Sequence, residues 1–350
     1  MITDVIKILA PTAIAFVVGI AITPMVTDFL YRHKMWKKIN VARSIDGTEA
    51  TISGNLHNDE ERKTPRMGGI VVWGSVLITI GILWILSFFF PGQITGKLNF
   101  FSRNQTWLPL FILIAGALCG LVDDYLVCRN AGRYKGGGLS LATRLFFVFL
   151  LGALGAWWFY EKLGMNTIHI PFWGDWYVGI LFVPIFILFT IGMYSGGIID
   201  GVDGLSGGVF AAIYFAYTII AFAGGQIDLA AYTSVVVGGL LAFLWFNIPP
   251  ARFFNSETGT MALTTSLVVV IFLTKAVVPS LIIAFLLIAT SASSLIQIIS
   301  KKYRGKKVFI VAPLHNHLQA MGWPPYKVTM RYWVLSMVFA VLGVIVALIG

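Results

Sequence analysis

Two carboxylates, Asp200 and Asp203, stand three residues apart in Gly196-Gly197-Ile198-Ile199-Asp200-Gly201-Val202-Asp203-Gly204-Leu205-Ser206-Gly207-Gly208, between strongly apolar segments. A charge at the centre of a membrane helix costs roughly 2.5–3.5 kcal/mol, less toward the ends, so acids kept there are candidates for holding something. A second pair, Asp123-Asp124, closes another apolar run, and Glu257 opens a third. Several carboxylates gathered in one place retain protons unless a cation relieves their repulsion. Mg²⁺ does so with one or two carboxylates, several waters and the phosphate oxygens of a substrate. These residue types therefore point to Mg²⁺ and a phosphate-bearing substrate. Each pair also has a plainer reading: Asp123-Asp124 as a solvated helix end, Asp200 and Asp203 as a capped loop.

Two of the five histidines fall in Pro313-Leu314-His315-Asn316-His317. On extended backbone His315 and His317 point to the same side. They could donate to phosphate or move a proton. Zinc is an alternative, although the neighbouring acids favour a hard ion, and a structural role also stays open. In Arg62-Lys63-Thr64-Pro65-Arg66-Met67-Gly68-Gly69, three cations precede an apolar run, which suits phosphate binding or a membrane anchor. Gly132-Arg133-Tyr134-Lys135-Gly136-Gly137-Gly138 lacks the P-loop pattern and reads as a basic loop. Phe253 and Phe254, beside Glu257, could stack a base or sit at a membrane interface.

The elements that must position these residues are membrane helices. The chain has 350 residues, 58% of them hydrophobic and only 11% charged, and its mean hydropathy is +0.85. Apolar runs near the length that crosses a ~30 Å hydrocarbon core recur throughout, without the alternation of a barrel strand. The expected architecture is one all-α polytopic membrane domain over 1–350, with ten spans near 5–30, 67–90, 107–124, 141–160, 178–195, 206–223, 230–247, 258–274, 279–300 and 330–349. The first run lacks a clear cleavage site and reads as a retained helix.

Charge orients the bundle. The loops near 31–66, 125–140, 196–205, 248–257 and 301–329 carry 18 Lys or Arg, against four in the loops on the other face. By the positive-inside rule the first set is cytoplasmic and both termini face outward. The same rule accounts for the net charge of +10, and nucleic acid binding has little support. Asp123, Asp124, Asp200, Asp203 and Glu257 then all fall at cytoplasmic helix ends on three hairpins. Topology brings them to one face without showing that they meet. Cys119 and Cys128 form no CxxC pair and suggest neither a disulfide framework nor a zinc site.

These motifs, in this order, resemble the bacterial phospho-N-acetylmuramoyl-pentapeptide transferase family, within the polyprenyl-phosphate N-acetylhexosamine-1-phosphate transferases. Thr64-Pro65-Arg66-Met67-Gly68-Gly69 resembles TPTMGG, Val122-Asp123-Asp124-Tyr125 resembles VDDY, and Asp200-Gly201-Val202-Asp203-Gly204-Leu205 resembles DGLDGL. Leu244 to Phe254 is similar to the segment leading into FMGDxGS, and His315-Asn316-His317, Gly322-Trp323-Pro324 and Arg331-Tyr332-Trp333 to the HHH, GWP and RFW pattern.

The resemblance implies transfer of phospho-N-acetylmuramoyl-pentapeptide from its UDP conjugate to undecaprenyl phosphate, giving lipid I and UMP, at the cytoplasmic face of the bacterial inner membrane. It implies Mg²⁺ and is compatible with a homodimer. Carried over, Asp123 acts on the polyprenyl phosphate, Asp124 supports it, and Asp200 and Asp203 line the nucleotide and metal site. Phe254 falls where uracil is stacked, His315 and His317 near the pyrophosphate, and Lys63 nearest a basic substrate-binding position. The metal-binding Asp of FMGD falls on Glu257. Two family asparagines fall on Tyr194 and Gly197, the middle histidine on Asn316, a lysine on Val127, and a threonine on Arg66, as in the N-acetylglucosamine-1-phosphate branch. Transfer from UDP-N-acetylglucosamine or another UDP-sugar is the alternative reaction. A non-catalytic lipid or nucleotide-sugar binding protein or transporter is the alternative of another class.

Overall fold

The computed structural model describes residues 2–38, 63–102, 104–132 and 137–350. Asp46, Glu49, Asp59, Glu60, Glu61 and Arg62, and Arg133 to Gly136 of the glycine-rich loop, lie outside the described residues. The chain is an all-α membrane protein. Helices α1 (Ile2–Arg32), α2 (Gly69–Phe89), α3 (Trp107–Arg129), α4 (Leu141–Trp157), α5 (Phe182–Ser195), α6 (Leu205–Ala223), α7 (Ile227–Asn247) and α8 (Ser256–Leu273) follow in order, with a further short helix, Gln93–Leu98, between α2 and α3. Then come the short α9 (Val277–Ile283), α10 (Phe285–Arg304), the short α11 (Leu314–Ala320) and α12 (Pro325–Ile349). Among the described residues nine helices are long and apolar enough to cross a membrane, or ten if α9 and α10 count as one span.

Burial sorts these helices into an interior and a rim. In α8 and α7, 89% and 83% of the span residues are buried, against 22% in α1, α4 and α12. A helix apolar on all sides belongs in the centre, and α8 is buried from Thr258 to Phe272 without a break. Small residues bring its neighbours close, as is usual inside a bilayer. On α3, a Cβ on Gly116 would lie 2.7 Å from Thr265 Oγ1, and one on Gly120 only 2.1 Å from the Glu257 carbonyl oxygen. Those glycines carry the end of α3, and hence Asp123-Asp124, against the start of α8.

Three local features depart from the sequence reading. The expected ninth span, 279–300, is broken: α9 and α10 meet at 77°. Its apolar count hid a two-faced helix, with Leu295 and Ile299 exposed while Ser293, Gln297 and Ser300 are buried. Gln297 accepts from the backbone N–H groups of Val308 and Phe309 and donates to the Phe309 carbonyl, all at 3.0 Å. Second, the stretch read as the outer loop 161–177 holds a two-stranded antiparallel hairpin, β1 (Thr167–Ile170) with β2 (Gly174–Tyr177). Third, the last helix starts at Pro325, five residues before the expected span, because a proline in the first turn loses no internal hydrogen bond.

Candidate active site

The 63–68 segment and the loop before α8 are clasped together by their backbones. The Phe254 N–H donates to Pro65 O at 2.9 Å, and the Gly68 and Gly69 N–H groups donate to Phe254 O and Asn255 O at 2.7 and 3.2 Å. A Cβ on Gly68 would come within 2.3 Å of the Phe253 ring, so the approach needs glycine. The clasp aims Arg66 at α3. Its Nε lies 2.9 Å from Asp124 Oδ1, and Asp124 Oδ2 accepts from the Thr258 N–H and hydroxyl at 2.9 and 2.7 Å. Burial alone would ease the proton off Arg66, but Asp124 overrides it and holds the guanidinium charged beyond its ordinary range.

Asp123, next on the same helix, accepts the Leu139 N–H at 2.6 Å. That loop can lie so close because residue 138 is glycine: a Cβ there would be 2.8 Å from the carboxylate. Glu257, in the first turn of α8, receives Arg144 Nη1 at 2.6 Å on one oxygen and the Tyr194 hydroxyl at 3.1 Å on the other. Asp200 ties two segments together, accepting from the Ser206 hydroxyl of α6 at 2.5 Å and the Ser256 N–H at the start of α8 at 2.6 Å. Ser256 adopts φ +56°, a left-handed conformation rarely held by a residue with a side chain. Burial pushes the Asp200 carboxyl above the ordinary range, Asp124 adds to this, and Arg66 opposes it. Arg66 and Asp124 thus lie within reach of the fields of both Asp200 and Glu257.

Asp203 lies on the adjoining turn. It accepts the Ala251 N–H at 2.9 Å, and its carbonyl receives the Thr329 hydroxyl at 2.9 Å. Trp333 Nε1 donates to the Gly204 carbonyl and the Gly204 N–H to Asn247 Oδ1, each at 3.0 Å. Trp333, from the Arg331-Tyr332-Trp333 motif, therefore holds the Asp203-Gly204 turn.

The histidines separate. Residues 314–320 are helical, and positions i and i+2 of a helix do not share a face. His315 is buried over the acid loop, where a Cβ on Gly201 would lie 2.5 Å from its Nε2. His317 instead packs against Phe309, and its Nδ1 receives the Ile310 N–H at 3.3 Å. The aromatics separate too: Phe253 is fully buried against Phe243 and Phe246, while Phe254 is partly exposed. Lys63 is exposed at the start of the clasped segment, three residues from Arg66.

Residues passed over in the sequence complete the cluster: Arg144, Thr258, Ser206, Ser256 and Asn247. Arg144 was findable, because a lone cation inside an apolar span is a functional candidate by default. Thr258 and the serines carried no comparable signal.

The charges leave room for a cation. Asp123, Asp124, Asp200 and Glu257 bring four negative charges when ionised, and Arg66 and Arg144 return two. Among the described residues, neither Asp123 nor Asp200 forms an ion pair. No three His, Cys, Asp or Glu side chains converge as a ready-made cage among the described residues. Mg²⁺ does not need one, since it keeps waters and uses one or two carboxylates with substrate phosphates. The residues present fit such an ion.

Known proteins bear on this arrangement. The family model described as Glycosyl transferase family 4 matches residues 106–275, a range from α3 to the end of α8 that contains the acids. Proteins named phospho-N-acetylmuramoyl-pentapeptide-transferase align over almost their whole length. The one from Anoxybacillus flavithermus is 30% identical, covering 96% of this chain and 97% of its own. That from Geobacillus thermodenitrificans is 30% identical with 95% of both covered. That from Levilactobacillus brevis is 29% identical with 98% and 99% covered. With the acid cluster assembled at its helix ends and such relatives along its full length, the chain belongs to the phospho-N-acetylmuramoyl-pentapeptide-transferase family.

Proposed function

We propose that this membrane enzyme transfers phospho-N-acetylmuramoyl-pentapeptide from its UDP conjugate to undecaprenyl phosphate, forming lipid I for peptidoglycan and releasing UMP. An oxygen of the lipid phosphate attacks the β-phosphorus. A new P–O bond forms as the bond between the β-phosphorus and the bridging oxygen breaks, and that oxygen leaves with UMP. Family membership supports the reaction. The observation in the molecule that carries it is the buried acid cluster at the ends of α3, α6 and α8, which its two arginines leave two negative charges in excess when its acids are ionised.

In this reading Asp123 acts on the lipid phosphate, as base or as phosphate-site acid, with Asp124 supporting it from a position held by Arg66 and Thr258. Asp200 and Asp203 line the nucleotide side, and Asp200 is the acid best placed to hold Mg²⁺. When bound, Mg²⁺ neutralises charge on the pyrophosphate. Phe254 offers a partly exposed ring for uracil, Lys63 a cation at the entrance, and His315 the pyrophosphate side, while His317, expected beside it, is held against Phe309. The site faces the cytoplasm of a bacterial inner membrane, with both termini outward, and a homodimer is compatible with the exposed rim helices.

The test is direct. Purified protein given undecaprenyl phosphate, Mg²⁺ and UDP-N-acetylmuramoyl-pentapeptide should release UMP, and EDTA should stop it. Arg66 at the family's threonine position supports a second donor, UDP-N-acetylglucosamine, so both are run side by side. Turnover with only the second donor would replace the first assignment, and turnover with neither would overturn the enzyme reading.

A further inference from the structure

The resemblance puts a metal-binding acid at Glu257, yet both of its oxygens are engaged inside the protein. Oε1 lies 2.6 Å from Arg144 Nη1, a short charge-assisted contact. Oε2 accepts from Tyr194, whose side chain is buried. The backbone has little freedom to re-aim the side chain. Gly120 of α3 packs on the Glu257 carbonyl, and the next residue, Thr258, is held by Asp124 through two hydrogen bonds. To reach a cation, Glu257 would have to leave a largely buried guanidinium without its counter-charge, an expensive arrangement. The Arg144 Nε is buried and makes no hydrogen bond, so the guanidinium still has donor capacity in the site.

We infer that Glu257 is the anchor that positions Arg144, not a ligand of the divalent ion. Arg144 is then a fixed positive charge of the site, as Arg66 is beside Asp124. The ion is left to Asp200, whose oxygens accept hydrogen bonds from Ser206 and Ser256 but, among the described residues, pair with no guanidinium, together with Asp123 and the substrate's phosphates. Tyr194, standing where the family has asparagine, completes the anchor by filling the second carboxylate oxygen. The inference rests on the phosphotransferase reading only for the ion and the phosphates; the anchor itself is a property of three side chains.

The test uses full-length protein in detergent without substrate. Mn²⁺ binding is followed by electron paramagnetic resonance, and thermal unfolding is measured in EDTA, for wild type, E257Q, R144Q, the double variant and D200N. E257Q should bind Mn²⁺ within about threefold of wild type, while D200N weakens it about tenfold or more. In EDTA, E257Q and R144Q should each lower the unfolding midpoint, and the double variant should lower it no further than the worse single one, as for two groups sharing one interaction. In a separate steady-state assay with both substrates, the two single variants should raise the donor's KM by the same factor. Mn²⁺ binding by E257Q about tenfold below wild type would overturn the inference, and so would additive midpoint losses. If wild type binds no Mn²⁺ without substrate phosphates, the EDTA cycle alone decides the anchor, and additive midpoint losses there overturn it.

Discussion

Arg66 donates from Nε to Asp124 Oδ1 across 2.9 Å, joining residues 58 positions apart in the chain. The carboxylate is fully buried and the arginine side chain is 26% exposed. Removing the arginine leaves a buried charge with only Thr258 to serve it. Arg66→Ala should therefore destabilise the protein by about 3 kcal/mol, and Arg66→Lys by less. Thermal unfolding in a fixed detergent measures both. An unchanged midpoint for Arg66→Ala would mean the pair contributes nothing.

Gly120 permits the contact between α3 and α8. A Cβ there would overlap the Glu257 carbonyl oxygen at 2.1 Å, and both partners are backbone, with no flexible side chain to yield. Gly120→Ala should cost about 1–3 kcal/mol through overpacking and displace Asp123 and Asp124 from α8. Activity should fall more than stability accounts for. A variant with wild-type UMP release would show that the helix spacing tolerates a methyl group.

Phe253 and Phe254 should divide stability from binding. Phe253→Ala empties a filled core position and should cost about 3–5 kcal/mol. Phe254→Ala should leave the unfolding midpoint close to wild type and raise the donor's KM, as loss of a stacked base costs about 1–3 kcal/mol. Steady-state kinetics with thermal unfolding separates the two; an unchanged KM would remove Phe254 from the nucleotide site.

Asp200 makes a prediction about pH. Its folded pKa lies above its unfolded one because it is buried. The folded state without metal therefore binds the extra proton, and its stability falls as pH rises from the unfolded pKa to the raised folded pKa, then levels off. A divalent ion must displace that proton, so its affinity should weaken about tenfold per pH unit below the folded pKa. Mn²⁺ titrations across pH check the slope, and a flat profile would mean that Asp200 is not the proton-linked ligand.

His315 packs on Gly201 closely enough that a methyl group there would meet its Nε2 at 2.5 Å. Gly201→Ala should push the ring aside and lower turnover as His315→Ala does, while His317→Ala leaves that contact intact. The comparison is read from kcat for the three variants. Equal loss in all three would mean that the histidines act together despite lying on different faces of α11.

Much was written in the one-dimensional pattern. Apolar runs and sparse charge determine an all-α membrane protein, because backbone polar groups crossing a bilayer must be satisfied within each segment. Asp123, Asp124, Asp200, Asp203 and Glu257 stood out because a chain with only 15 acids places five of them at apolar-segment ends on one face. What each acid holds was decided by folding: Arg66 for Asp124, Arg144 and Tyr194 for Glu257, Ser206 and Ser256 for Asp200. So were the separation of His315 from His317, the burial of Phe253 beside a partly exposed Phe254, and the break between α9 and α10. Hydropathy counts how much side-chain surface is apolar along the chain. It does not encode which helix approaches which, because that depends on glycine contacts and hydrogen-bond partners that lie tens to hundreds of residues away.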